Sequence, residues 1–426
     1  MMNRYAVSVI GLGYVGLPLA SLLAENHDVT GFDVDSSRIN DLQNSNLPVD
    51  EPGLPEYFIS GLKNKSLKLT ANPHEIRKTL IKIVTVGTPY LPDKNSIDTS
   101  QLSSALEIVV PELKNGDVLL LKSTVPPGTT SGFVRERIEK QGFNVPGDIG
   151  VAFAPERMIE GQAIQDFKTL PKIIGATDDK TYSIVSDLLS SLGGKIIKVS
   201  NPETAEMAKM LDNYSRYVFL ALTNELALVS EKIGVDVLEL INASKADYPR
   251  NSGLLLPGPG VGGSCLNKDP FILRAEMAKS SLNLKMVGCS QEVNNYMPIH
   301  VADLVKKYAG RRNNVVLLGV SFKEDTNDTR FTPCFTIEGN LKKDNFKVKL
   351  SDPFVAESNI IRDPYEAAKD SDIIVILTKH SAYKNLDLKK LNKIMKENPL
   401  IIDTRGLFDR GTAASLGFEY HGVGRL

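Results

Sequence analysis

The sequence predicts an α/β protein with a doubly wound parallel sheet near each end of the chain and a helical stretch between them. Three observations carry this. Short β-rich runs alternate with longer amphipathic stretches over the first 200 residues, a helical period takes over from Asn201, and a second alternating set begins near residue 311. At roughly 100 to 200 residues per domain, a chain of 426 residues should hold two or three cores. The expected division is 1–200, 201–310 and 311–426.

In the first part the predicted strands are 5–10, 29–32, 81–86, 118–121, 149–153, 172–175 and 196–199. Several are apolar on successive residues, as in strands buried on both faces of a parallel sheet. At Asn201 a capping residue precedes Pro202, which suits a first helical position. Met207, Leu211, Tyr214, Val218, Leu222, Leu226, Val229 and Ile233 then follow at steps of three and four up to Gly234. This describes one helix of about 30 residues, roughly 45 Å long, suited to bridging domains or to packing against a second copy. Residues 250–265 are rich in Gly and Pro and lead into further helix to about residue 307. Strands are then predicted at 314–320, 347–350, 373–377 and 400–402.

The composition is that of a globular protein, with 42% hydrophobic and 24% charged residues, and the net charge of -1 gives no reason to expect nucleic acid or an anionic membrane as partner. No apolar run approaches the roughly 20 residues that span a bilayer, and the start lacks the layout of a signal peptide, so a cytoplasmic protein is expected. The three cysteines, Cys265, Cys289 and Cys334, have no spacing suited to a disulfide framework or a zinc site. Each is a small hydrophobe or a reactive thiol, and no metal is expected.

Gly11-Leu12-Gly13-Tyr14-Val15-Gly16 follows the first strand and opens a helical pattern, and Asp33 ends the second strand about 20 residues on. The glycines permit a tight turn, close approach of a pyrophosphate and helix–strand packing, while Asp33 can accept from both ribose hydroxyls. The carboxylate favours NAD over NADP, although Arg38 nearby is of the type that accommodates a 2′-phosphate. Thr88, in Val86-Gly87-Thr88-Pro89, and Thr124, in the segment from Lys122 to Thr129, lie just after strands, where a doubly wound sheet places its ligand; ordinary loop chemistry is the alternative.

Cys265 directly follows the loop Pro259-Gly260-Val261-Gly262-Gly263-Ser264 and precedes Lys268 and Asp269. A neighbouring cation and helix amides would raise its thiolate fraction, whereas a chance cysteine in a turn is the bland reading. On the long helix, Lys209, Asn213 and Arg216 are spaced four and three apart and form a polar row. That row is either a solvated face or a source of an ammonium and an amide for an oxyanion and a guanidinium for a ligand.

With Pro155-Glu156-Arg157 and with Phe322-Lys323 followed by Arg330, these motifs resemble, in order and over almost the whole chain, those of the UDP-sugar 6-dehydrogenases. The resemblance implies two Rossmann-like domains joined by a long helix, a homodimer formed through the middle, NAD as cofactor and a UDP-sugar as substrate. The implied reaction oxidises the sugar C6 alcohol to a carboxylate with two NAD, Cys265 acting as nucleophile through a thiohemiacetal and a thioester. Lys209 and Asn213 would stabilise the oxyanion, Asp269 and Thr124 would act as base through an ordered water, and Glu156 or Glu160 would assist hydrolysis. Besides Gly11, Gly13 and Gly16, the positions Tyr14, Val15, Asp33, Arg38, Thr88, Thr124, Lys268 and Arg330 match NAD contacts. Arg157, Met158, Arg216, Arg250, Gly262, Phe322 and Lys323 match UDP-sugar contacts, with Lys209 and Asn213 at the reacting end and Arg250 contributed by a neighbouring subunit.

The sugar is read from mixed signals. Ser264, Lys268-Asp269-Pro270 and Glu160 resemble the UDP-glucose branch. Pro127, Arg157, Arg216, Pro257-Gly258-Pro259-Gly260-Val261 and Asn294-Asn295-Tyr296-Met297-Pro298 resemble the UDP-N-acetylhexosamine branch, with UDP-N-acetylmannosamine ahead of its glucosamine epimer. A two-electron hydroxyacid dehydrogenase and a non-enzymatic nucleotide-binding protein are the readings from other classes.

Overall fold

The structure, a computed structural model, describes residues 3–49, 51–91 and 96–425. It forms two compact units, one reaching to Asp212 and including Ala278–Ser280, the other comprising Asn213–Met277 and the chain from Ser281.

The first unit is built on an eight-stranded sheet. From one edge its order is Ile196–Lys198, Lys172–Ala176, Gly150–Phe153, Val118–Leu121, Ile81–Val84, Ala6–Ile10, Asp28–Phe32 and Leu67–Thr70. All neighbours are parallel except Gly150–Phe153 and Lys172–Ala176, which run antiparallel. The successive apolar residues serve two cores: Val118 and Leu120 face one, Leu119 and Leu121 the other. Leu67–Thr70 was not anticipated because its alternation of apolar and polar side chains is only four residues long. A two-stranded hairpin of Tyr90–Leu91 with Ser96–Ile97 was likewise unforeseen.

The helix Pro202–Ile233 has 32 residues, and Asn201 caps it, its side-chain oxygen accepting the Thr204 N–H at 2.9 Å. In the second unit the helices Asp269–Ala278 and Lys285–Ala309 precede a six-stranded parallel sheet. Its order is Ile360–Ile361, Lys347–Ser351, Asn314–Leu318, Ile373–Ile376, Leu400–Asp403 and Glu419–Gly422. The two edge strands, Ile360–Ile361 and Glu419–Gly422, were not anticipated. Val315 and Leu317 enter one core and Val316 and Leu318 the other. Among the described residues no helix is long and apolar enough to cross a membrane.

Candidate active site

In the first unit the expected residues gather at the carboxyl ends of the parallel strands, the edge where such sheets hold ligands. Gly11 leaves the first strand with φ +92°, and its N–H donates to Phe32 O at 2.9 Å. A Cβ on Gly16 would lie 1.9 Å from Gly11 O, so the turn closes only around glycine, whereas no atom of the described residues stands within 4 Å of a Cβ on Gly13. The loop is therefore packed tightly on its own side and open at Gly13, as approach of a pyrophosphate requires. Tyr14 is exposed and Val15 partly buried beside it. Asp33 is buried; one oxygen accepts the Leu12 N–H at 2.9 Å and lies 3.3 Å from Arg38 Nη1, and the other accepts the Asp35 N–H at 3.0 Å. The charge of Arg38 thus meets a carboxylate of its own chain, and these residues fit a dinucleotide with a free ribose 2′-hydroxyl.

Two further loops are fastened together at the same edge. Thr88 Oγ1 donates to Thr124 O at 2.5 Å, and Ser123 Oγ donates to Val86 O at 2.7 Å. Glu156 Oε1 accepts the N–H groups of Arg157 and Met158 at 2.9 and 3.0 Å. Its Oε2 lies 3.3 Å from the ammonium of buried Lys122, a partner the sequence did not suggest. Arg157 makes a two-point ion pair with Asp212, Nε–Oδ2 2.8 Å and Nη2–Oδ1 3.3 Å. The guanidinium is thereby fixed to the turn of the long helix that carries Lys209, which is half-buried. Glu160 is half-buried as well.

The second unit holds the thiol. Cys265 is exposed in the turn before the helix Asp269–Ala278, and its carbonyl accepts the Asp269 N–H at 2.9 Å. Gly263 has φ +85°. A Cβ on Gly262 would come within 2.2 Å of Phe322 Cβ, and one on Gly263 within 2.6 Å of the Phe322 ring. Phe322 thus packs directly against the glycines of the thiol loop, and Gly263 N–H donates to Arg330 O at 2.9 Å. The Gly- and Pro-rich lead is pinned by Asn224, which accepts the Gly258 N–H at 2.9 Å and donates to Asn294 at 3.0 Å.

Asp269 is 1% exposed. Its Oδ2 accepts from Asn213 Nδ2 at 2.6 Å, while Oδ1 has no hydrogen-bond partner among the described residues and lies 3.7 Å from Lys268 Nζ. A buried carboxylate oxygen without a donor is costly and points to an absent one, a water or a substrate hydroxyl. Lys323 is half-buried, and Arg216, Arg250 and Arg330 are exposed. Arg330 pairs with Asp328 at 2.5 Å, and Arg250 Nη1 donates to Tyr248 Oη at 3.3 Å.

Arg405 was missed by the sequence reading. It follows the strand Leu400–Asp403 and lines one cavity with Gly260, Gly262, Phe322, Thr332 and Thr378. A cation just after a parallel strand was the available signal, legible only once that strand is placed inside the sheet.

The chain matches three parts of the UDP-glucose/GDP-mannose dehydrogenase family: its NAD binding domain over residues 5–192, its central domain over 203–296 and its UDP binding domain over 316–410. It is 31% identical to the UDP-N-acetyl-D-mannosamine dehydrogenase of Methanocaldococcus jannaschii, over 98% of this chain and 96% of that one. It is 30% identical to a UDP-glucose 6-dehydrogenase of Bacillus subtilis, over 98% and 93%. The solved UDP-D-ManNAc dehydrogenase of Pyrococcus horikoshii superposes with a TM-score of 0.90 at 29% identity, covering 99% of each chain. The fingerprint, the carboxylate after the second strand and the three domain matches agree: this chain belongs to the UDP-glucose/GDP-mannose dehydrogenase family and is an NAD-dependent UDP-sugar dehydrogenase.

Proposed function

We propose that the chain oxidises the C6 hydroxyl of UDP-N-acetyl-D-mannosamine to the carboxylate in two successive two-electron steps. Asp269 carries this reading: a buried carboxylate bonded to Asn213 through one oxygen, with the other lacking a donor among the described residues, four residues after an exposed cysteine. The names of the M. jannaschii and P. horikoshii relatives and the N-acetylhexosamine-like motifs favour the mannosamine sugar. UDP-N-acetylglucosamine is the next substrate, and Ser264, Glu160 and Lys268-Asp269-Pro270 together with the B. subtilis relative favour UDP-glucose as a second reading.

NAD, when bound by Gly11, Gly13, Gly16, Asp33 and their neighbours, supplies the hydride acceptor for both oxidations. Asp269, with Thr124 and an ordered water, takes the C6 hydroxyl proton as the alcohol becomes the aldehyde. The Cys265 thiolate adds to the aldehyde carbon, and the new oxyanion is stabilised by the Lys209 ammonium and by the second N–H of Asn213 Nδ2. Oxidation of this thiohemiacetal leaves a thioester. Water, assisted by Glu156 or Glu160, adds to its carbonyl, the C–S bond breaks and the thiolate leaves. Arg157, Met158, Arg216, Gly262, Phe322, Lys323 and Arg405 hold the UDP-sugar, and Arg250 serves the neighbouring subunit of a homodimer. In this reading residues 1–200 serve NAD, 201–310 carry the thiol and 311–426 the nucleotide sugar.

The test is a panel of UDP-N-acetylmannosamine, UDP-N-acetylglucosamine and UDP-glucose with NAD, following NADH. Two NADH per sugar are expected, with the mannosamine substrate fastest and complete turnover lost in Cys265→Ser. One NADH per sugar with free aldehyde released would sink the mechanism, and equal activity in Cys265→Ser would indicate a two-electron dehydrogenase.

A further inference from the structure

The geometry points to His380 as a positioning residue that holds the turn bearing Phe322 and Lys323, an inference resting on the reading that this turn binds the UDP-sugar. Residues 321–330 follow the strand Asn314–Leu318 and lie outside helix and strand; Phe322 N–H donates to Asp328 O at 3.1 Å within the turn, and side chains of neighbouring segments fix its first half. His380 follows the adjacent strand Ile373–Ile376 and is fully buried.

Both ring nitrogens are committed to the turn. Nδ1 accepts the Asp325 N–H at 2.9 Å, which leaves the ring proton on Nε2. Nε2 lies 3.1 Å from Asp352 Oδ2 and 3.2 Å from Ser321 Oγ. One imidazole therefore grips the residue before Phe322 and the residue two after Lys323. Asp352, fully buried after the strand Lys347–Ser351, accepts the N–H groups of Val320 and Ser321 at 2.8 and 2.9 Å. Thr378 Oγ1 donates to Ser321 O at 2.5 Å. The two strands that flank Asn314–Leu318 in the sheet thus end in groups that converge on the turn following it, with His380 as their link.

The far side of the turn is strained and clamped. Asp325 has φ +56°, a conformation that costs a non-glycine residue stability and persists only where the surroundings impose it. Its carboxylate accepts Ser381 N–H at 2.8 Å and Ser381 Oγ at 2.9 Å, one residue beyond His380. The same short segment thus fixes both the backbone and the side chain of Asp325. Without the imidazole the turn would open at Asp325, and Phe322 would lose its fixed seat on Gly262 and Gly263.

Calorimetric titration of the full chain with UDP, together with steady-state kinetics, tests this. His380→Ala is expected to weaken UDP binding about tenfold, the scale of one lost buried hydrogen bond. The KM for the UDP-sugar rises with it, while kcat at saturation and the KM for NAD stay near wild type. An asparagine amide reaches the Nδ1 position and can accept from Asp325, so His380→Asn should recover most of the affinity. Should His380→Ala fail to fold, Asp325→Ala, at a partly exposed side chain, releases the same turn and should weaken UDP likewise. Wild-type affinity in His380→Ala, or in Asp325→Ala, beside weakened binding in Lys323→Ala overturns the positioning role. Unchanged binding in Lys323→Ala overturns the reading of the turn itself.

Discussion

Glu206 lies fully buried in the first turns of the long helix, and its carboxylate accepts Gly128 N–H at 2.6 Å, Thr130 N–H at 2.8 Å and Thr130 Oγ1 at 2.6 Å. It fastens the loop after Thr124 to the helix that carries Lys209. Burial pushes its pKa up from 4.5 to about 7 against those three donors. The folded form then holds its proton more tightly than the unfolded one, so stability falls as pH rises from 4.5 to 7. The cost is complete above pH 7, at roughly 3 kcal/mol. Glu206→Gln has no such proton, so the Tm of wild type relative to the variant should fall between pH 5 and pH 8. A difference that stays flat over this range would exclude the shifted carboxyl. Residues of this kind show how far the sequence could be read. Asp33 was legible because its partners lie within a short βαβ stretch. Glu206, Lys122, Asp212, His380 and Arg405 were not, because the atoms that give each its role are brought to it by other strands and loops.

Among the elements, the long helix was legible from start to end because the Asn201 cap, Pro202, the apolar period and Gly234 all report on local geometry. Interior strands such as Val118–Leu121 and Ile373–Ile376 were legible because burial on both faces makes successive residues apolar. The edge strands Leu67–Thr70 and Glu419–Gly422 are covered on fewer sides and kept polar side chains, and the reversed direction of Lys172–Ala176 leaves no mark in its own composition. The turn from the first strand into the helix Gly16–Leu23 supports a sharp prediction. In Gly16→Ala the new methyl would meet Gly11 O at 1.9 Å, so the turn must open or the helix must shift. A distortion of roughly 1 to 3 kcal/mol raises the NAD KM about fivefold or more, and stabilisation of the protein by NAD in thermal melts should shrink accordingly. A Cβ in Gly13→Ala meets no atom of the described residues, so this variant should keep its fold while weakening NAD alone; wild-type NAD affinity in both variants would show that the turn does not hold the pyrophosphate.

At the scale of the whole molecule, a net charge of -1 leaves little long-range repulsion between copies, and the long helix leaves apolar side chains uncovered. Phe219, Leu222, Val229 and Ile233 are 38%, 41%, 46% and 65% exposed. At 100° per residue they share one side of the helix, opposite the row of buried Tyr217, Asn224 and Ala227. A helix buried along one side and apolar along the other is suited to a second copy, since contiguous exposed apolar surface marks an interface more often than solvent contact. The protein is expected to sediment at twice the 46.6 kDa of the chain. Burying a leucine or valine contributes about 1.5 to 3 kcal/mol, and a carboxylate in its place must be desolvated. Leu222→Asp combined with Val229→Asp should therefore raise the dimer dissociation constant by several orders of magnitude and give monomer at micromolar concentration. If Arg250 serves the neighbouring subunit, that monomer should still bind NAD, whose expected contacts in the first unit are untouched, yet lose UDP-sugar turnover. A monomeric variant with full turnover would remove Arg250 from the partner's site, and a wild-type chain that sediments as a monomer would leave the apolar stripe without the role assigned to it.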